Sequence, residues 1–312
     1  MKVRSPLSSF AIRPALWVVL AIVALLPAQH VWATYWPMMA QAPVPTTDKP
    51  KAPDTTYTLS KATLKQGDWL EIVGSHVPEA TTQLSLSLAG KTVPMFKQAS
   101  GQWLGIIAAD PLQKVGSFPL LVKNAEGDVV FEKAIAIVDA NFSKQNVAVS
   151  SSTASLTAEP GELEAITKFK AVASPTRYWD AALRPPVPDC MNSVFGSKRY
   201  YNGTFSGNYH KGVDHRSPQG RLIRTTTGGV VSLARQYRLH GGTVGIDHGQ
   251  GLTSIYIHMS RIDVKPGQPL KAGDPIGLVG DTGFASGPHL HWGLYVHGTP
   301  VNPTHWVSLP PC

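Results

Sequence analysis

Nine of the eleven histidines fall between His210 and His305. Imidazole binds zinc as a neutral ring and carries protons near neutral pH, so the spacing inside this cluster decides what chemistry is open to it. His210-Lys211-Gly212-Val213-Asp214 sets an imidazole and a carboxylate four residues apart. On a helix they would share a face. Gly212, with Tyr209 and Pro218 flanking, argues against a helix, so a bend must bring the two together. In His289-Leu290-His291 a strand would project both rings to one side. His258 closes the apolar run Ile255-Tyr256-Ile257-His258-Met259. Each group alone is weak, since an isolated HxH is ordinarily a solvated pair and a lone histidine at a strand end a rim residue. Together they meet a count. A catalytic zinc takes three protein ligands and keeps one position open. One carboxylate and two imidazoles fill it and leave two histidines for proton transfer.

The elements that must position these groups read as mainly β. After Pro185-Pro186-Val187-Pro188 the chain is rich in glycine and β-branched residues. Hairpins are expected around Gly228-Gly229, Gly241-Gly242, Gly249-Gln250-Gly251 and Pro266-Gly267. Upstream, Gln83 to Leu88 alternates polar and apolar, and Trp69–Val73, Trp103–Ala108, Phe118–Val122 and Val129–Val138 are further strand candidates. The expected architecture is a small N-terminal β-sandwich at 57–140, a linker at 141–180 with a short helix from Glu162 to Phe169, and an antiparallel β-sheet domain at 181–312 that holds the chemistry. The sandwich carries no catalytic constellation, and its one histidine, His76, reads as a loop residue. A fragment from Ala181 to Cys312 is expected to hold the whole site.

From Phe195 to Trp306 the sequence resembles the lysostaphin-like (LytM-type) zinc endopeptidases. The resemblance rests on Phe195-Gly196-Ser197-Lys198-Arg199, His210-x-Gly212-Val213-Asp214, Gly228-Gly229-Val230-Val231 and Ile246-Asp247-His248-Gly249. It continues through Tyr256-Ile257-His258-Met259-Ser260, Gly273-Asp274, Ile276-Gly277 and Gly280-Asp281-Thr282-Gly283. Gly287-Pro288-His289-Leu290-His291-Trp292 and Val301-Asn302-Pro303 close it. It implies one zinc ion per chain, held by His210, Asp214 and His291, with His258 and His289 as catalytic histidines. It implies that the substrate is peptidoglycan, cut at its peptide cross-links. His248 is expected to be structural, His215 departs from the family's usual aromatic and takes no role, and His240, His297 and His305 are read as surface or packing residues. Members that merely bind the wall or activate a partner amidase lose ligands or catalytic histidines, whereas all five residues stand here. A protease of glycine-rich proteins would use the same site. A structural zinc module is disfavoured, with only three ligands and no cysteine near them.

Residues 1–33 read as a signal peptide: Lys2, Arg4 and Arg13 form a positive region ahead of a 12-residue apolar run from Ala15 to Leu26, too short to span a bilayer. Val31-Trp32-Ala33 is the expected cleavage site, and 34–56 is a proline-rich tether. Removing residues 1–33, which hold those three cations and no acid, lowers the formal charge from +8 to +5. No later stretch could span a membrane, and no nucleic-acid-binding motif is present. The expected location is the periplasm or cell envelope of a Gram-negative bacterium. In that oxidising setting Cys190 and Cys312 are expected to pair.

Overall fold

The computed structural model describes residues 54–179 and 182–312. The expected signal peptide and most of the tether lie outside them. Among the described residues, no helix is long and apolar enough to cross a membrane.

The N-terminal module is two sheets face to face. One has four strands in the order Thr56–Leu59, Trp69–Ser75, Trp103–Ala108, Phe96–Lys97. The other has five, in the order Thr63–Lys65, Val129–Val138, Gly116–Lys123, Ser85–Leu88, Lys91–Pro94. Alternation along these strands supplies the core between the sheets: Leu70, Ile72, Leu86, Ile107, Leu120, Val122 and Ile135 are buried in it. Trp103–Ala108 is buried at every residue, so it must be covered on both faces. Trp103 and Ile107 enter the sandwich core, while Leu104, Ile106 and Ala108 enter the core of the C-terminal domain. The module therefore shares a core with the domain that follows it. Trp69 stacks on Trp306 with ring centroids 3.9 Å apart, and His305 Nδ1 lies 3.1 Å from Asp68 Oδ1.

The C-terminal domain is built on one large antiparallel sheet, beside a small sheet of Lys144–Val147, Lys198–Tyr201 and Thr204–Tyr209. Its main path runs Met191–Ser193, Val213–His215, Leu290–Val296, Leu252–Ile262, Gly242–Gly249, Gly229–Gln236, Pro269–Leu270. The inner face packs Val213, Tyr256, Trp292, Leu294 and Val296 into the core. The outer face carries the site. Cys190 and Cys312 are disulfide-bonded, so the last residue is tied beside the entry strand.

Within the segment read as a linker, residues 144–170 are built onto this domain. Lys144–Val147 pairs in parallel with Lys198–Tyr201. The helix Glu162–Lys170 lies on the outer face of the sheet, where Ile166 and Phe169 form a small core with Ile255, Ile257, Tyr237 and Tyr295.

Candidate metal and catalytic site

Two neighbouring strands and the turn before one of them bring together a group that could hold a metal. Asp214 on Val213–His215 pairs with His291 on Leu290–Val296, and His291 pairs with Ile257 on Leu252–Ile262. Paired residues share a face, so Asp214 and His291 stand side by side on the outer face. His210 enters from the turn before the aspartate strand. Its Nε2 lies 2.9 Å from Asp214 Oδ1 and 2.9 Å from His291 Nδ1, and His291 Nδ1 is also 2.9 Å from Asp214 Oδ1. All three ligand atoms lie within 4.8 Å of one another.

Proton accounting tests whether this group fits a cation. His210 Nδ1 faces the carbonyl of Val194 at 2.9 Å. A carbonyl only accepts, so Nδ1 carries the proton and the neutral ring turns its Nε2 lone pair toward Asp214 and His291. With its proton on Nε2, His291 would offer a second lone pair at Nδ1, and a carboxylate oxygen completes the cluster. The nitrogen–nitrogen–oxygen set is electron-rich and matches zinc in type and number. Gly212 makes room for it: a Cβ there would stand 2.4 Å from Trp292 O and 2.8 Å from His291 Nε2.

His258 reaches the same face by a different route. By strand alternation it would follow Tyr256 into the core. Instead the pairing register between the strands Gly242–Gly249 and Leu252–Ile262 shifts across this point, and His258 adopts a left-handed φ of 64°. The irregularity sends Met259 into the core and turns His258 toward His289, with ring centroids 4.8 Å apart. Re-aiming a side chain is a common use of a bulge beside an active site. His258 Nδ1 donates to Thr282 O at 2.9 Å, and His289 Nδ1 donates to Gly287 O at 2.8 Å. Both rings thus keep Nε2 for chemistry. Burial, then the neighbouring His289 and His291, hold the His258 pKa well below the usual imidazole value.

The five residues line one open cleft of about 610 Å³, walled on one side by the linker helix. That wall is fixed by Glu162, which is completely buried. Its carboxylate accepts from His240 N–H at 2.8 Å and Leu239 N–H at 3.0 Å, and lies 2.7 Å from His240 Nδ1. Burial raises its pKa, but His240 and backbone donors from Glu159, His240 and Leu239 outweigh burial and bring it to about 2. The loop so held supplies His240 O to the backbone N–H of His258 at 3.0 Å. The remaining histidines sit apart from the ligand group. His248 is buried, with Nδ1 donating to Gly228 O at 2.6 Å and Nε2 2.8 Å from Ser254 Oγ. His215 is buried beside Trp292, with Nδ1 3.1 Å from Asp189 O. Sequence reading missed two contributors. Arg199 Nη2 lies 2.8 Å from Asp214 Oδ2, and Glu162 holds the cleft wall. Arg199 sits in a motif already singled out, and buried Glu162 carried no signal.

The sequence profile of peptidase family M23 matches residues 208–303. This segment is an M23 peptidase domain. Peptidoglycan DD-endopeptidase ShyA of Vibrio cholerae is 40% identical over 112 residues, 36% of this chain and 26% of its own length. DD-carboxypeptidase/endopeptidase Mpg of Neisseria meningitidis is 34% identical over 128 residues, 41% of this chain and 29% of its own. The chain thus spans less than a third of the length of these curated relatives. A crystal structure of a Pseudomonas aeruginosa chain assigned to peptidase M23 superposes with a TM-score of 0.60 at 26% identity. It covers 80% of this chain and 96% of that one, so this likeness extends beyond the M23 domain toward the N-terminus.

Proposed function

We propose that this chain is a zinc endopeptidase that hydrolyses the peptide cross-links of bacterial peptidoglycan, acting after export in the periplasm or cell envelope of a Gram-negative bacterium. The observation that carries the reading is the convergence of His210 Nε2, Asp214 Oδ1 and His291 Nδ1 beside a second, separately held histidine pair. One zinc ion on those three atoms would polarise the scissile carbonyl and acidify the attacking water. His258 and His289 do the proton work. Each presents Nε2 to the cleft because its Nδ1 is committed to a carbonyl. One of the two would accept the water proton and pass it to the leaving amine, and the other would face the developing oxyanion. The naming of ShyA as a peptidoglycan DD-endopeptidase supports the substrate class. The substrate's anionic carboxylates also suit the chain's excess of cations.

The test separates the two kinds of histidine. His210→Ala, Asp214→Ala and His291→Ala are expected to lose both zinc and activity. His258→Ala and His289→Ala are expected to keep zinc while turnover falls by roughly 10²–10⁴-fold. Metal analysis and turnover on one set of folded proteins decide it. Zinc loss in His289→Ala with zinc retained in His291→Ala would reverse the assignment of the pair.

A further inference from the structure

The metal group is held from behind by the linker strand. Asp214 Oδ1 faces the two histidines, and its other oxygen is occupied by Arg199 at 2.8 Å, in an ion pair whose side chains are each 11% exposed. Arg199 lies in Lys198–Tyr201, the strand that pairs with Lys144–Val147, and its register partner there is Gln145. Gln145 makes a second connection. Ser193 Oγ donates to Gln145 Oε1 at 2.8 Å and lies 3.1 Å from His210 Nδ1. With its one proton given to Gln145, the Ser193 hydroxyl can only accept from His210. Together with Val194 O, it fixes the ring so that Nε2 points into the group.

We infer that Gln145 and Arg199 are positioning residues for the metal centre: Arg199 leaves Asp214 one free oxygen aimed at the ion, and Gln145, through Ser193, locks His210 with Nε2 forward. This inference rests on the zinc reading of the site. Outer partners of this kind orient metal ligands and fix histidine tautomers. The charge of Arg199 opposes the inference, because a guanidinium repels a nearby cation. Orientation outweighs repulsion here, since a carboxylate with both oxygens free can swing away from the two imidazoles.

The experiment measures zinc affinity of the full chain by competition with a chromophoric chelator, with the fold checked by circular dichroism. Arg199→Gln and Gln145→Leu are each expected to weaken zinc binding by roughly 10–100-fold. Gln145→Glu, which keeps an acceptor for Ser193, is expected to restore most of the affinity lost in Gln145→Leu. Asn146→Ala is the control, because Asn146 Oδ1 accepts from Gly203 N–H in the turn after Lys198–Tyr201 but leads to no ligand. It is expected to bind zinc as the wild type does. Wild-type or tighter affinity in Arg199→Gln and Gln145→Leu would overturn the inference, as would an equal loss in Asn146→Ala. A wild-type chain that binds no zinc would instead overturn the reading of the site.

Discussion

Gly212 lies at the tightest contact of the metal group. No side chain fits between it and the strand Leu290–Val296, because a Cβ would meet the carbonyl of Trp292 and the ring of His291. The loss of a methyl group elsewhere is ordinary; here its absence lets a bend and a strand close to within coordinating distance. Gly212→Ala is expected to lower stability by about 1–3 kcal/mol, the usual cost of overpacking, and to lower zinc content in the fraction that folds. Thermal denaturation and metal analysis check both. An alanine variant with normal stability and full zinc would show that the strand can give way. At this scale part of the site was legible: residue types gave a count of one carboxylate and two imidazoles, the family resemblance implied His210, Asp214 and His291, and the structure brings these three together. Arg199 was not legible as a partner, because an ion pair across fifteen residues leaves no periodic trace.

Elements position what residue types offer. The strand Leu252–Ile262 was legible as an apolar run, but the facing of His258 was not. Alternation alone assigns it to the core, and only the shifted register and the left-handed backbone bring it to the cleft. The linker helix was legible as a helix but not as a wall, since its apolar side is covered by residues far along the chain, from Tyr237 to Tyr295. The sheet itself carries a pH signature through His248. Burial lowers its pKa from 6.5 to about 4. The unfolded chain takes up a proton there as pH falls below 6.5, and the folded chain does so only near 4. Stability is therefore complete above that window and falls as pH drops through it, by roughly 3 kcal/mol at its foot. Urea unfolding between pH 7 and pH 4.5 is expected to show a steeper loss in the wild type than in His248→Gln, which cannot take up that proton. Parallel losses would remove His248 from the account.

Across the whole described chain, the parts that sequence separated are joined by shared cores. The N-terminal sandwich was legible from its alternation. Its second apolar face was not, because Trp103–Ala108 reads the same whether one side or both are covered. Leu104, Ile106 and Ala108, the Trp69–Trp306 stack and the contact of His305 with Asp68 fasten the module to the M23 domain. A fragment beginning at Ala181 would contain all five site residues and lack Gln145, Glu162, Ile166 and Phe169, which brace them. The disulfide between Cys190 and Cys312 closes the C-terminal domain on itself, a constraint worth roughly 2–5 kcal/mol. On the proposed function this framework serves one reaction, and one measurement tests it. Purified Gram-negative peptidoglycan is incubated with the zinc-loaded chain, and the released muropeptides are analysed by mass spectrometry. The account predicts conversion of cross-linked dimers to uncross-linked peptides with glycan strands intact, abolished by a chelator and restored by zinc. Dimers left unchanged by the folded, zinc-loaded chain, or cleavage in the glycan or at the sugar–peptide amide, would contradict it.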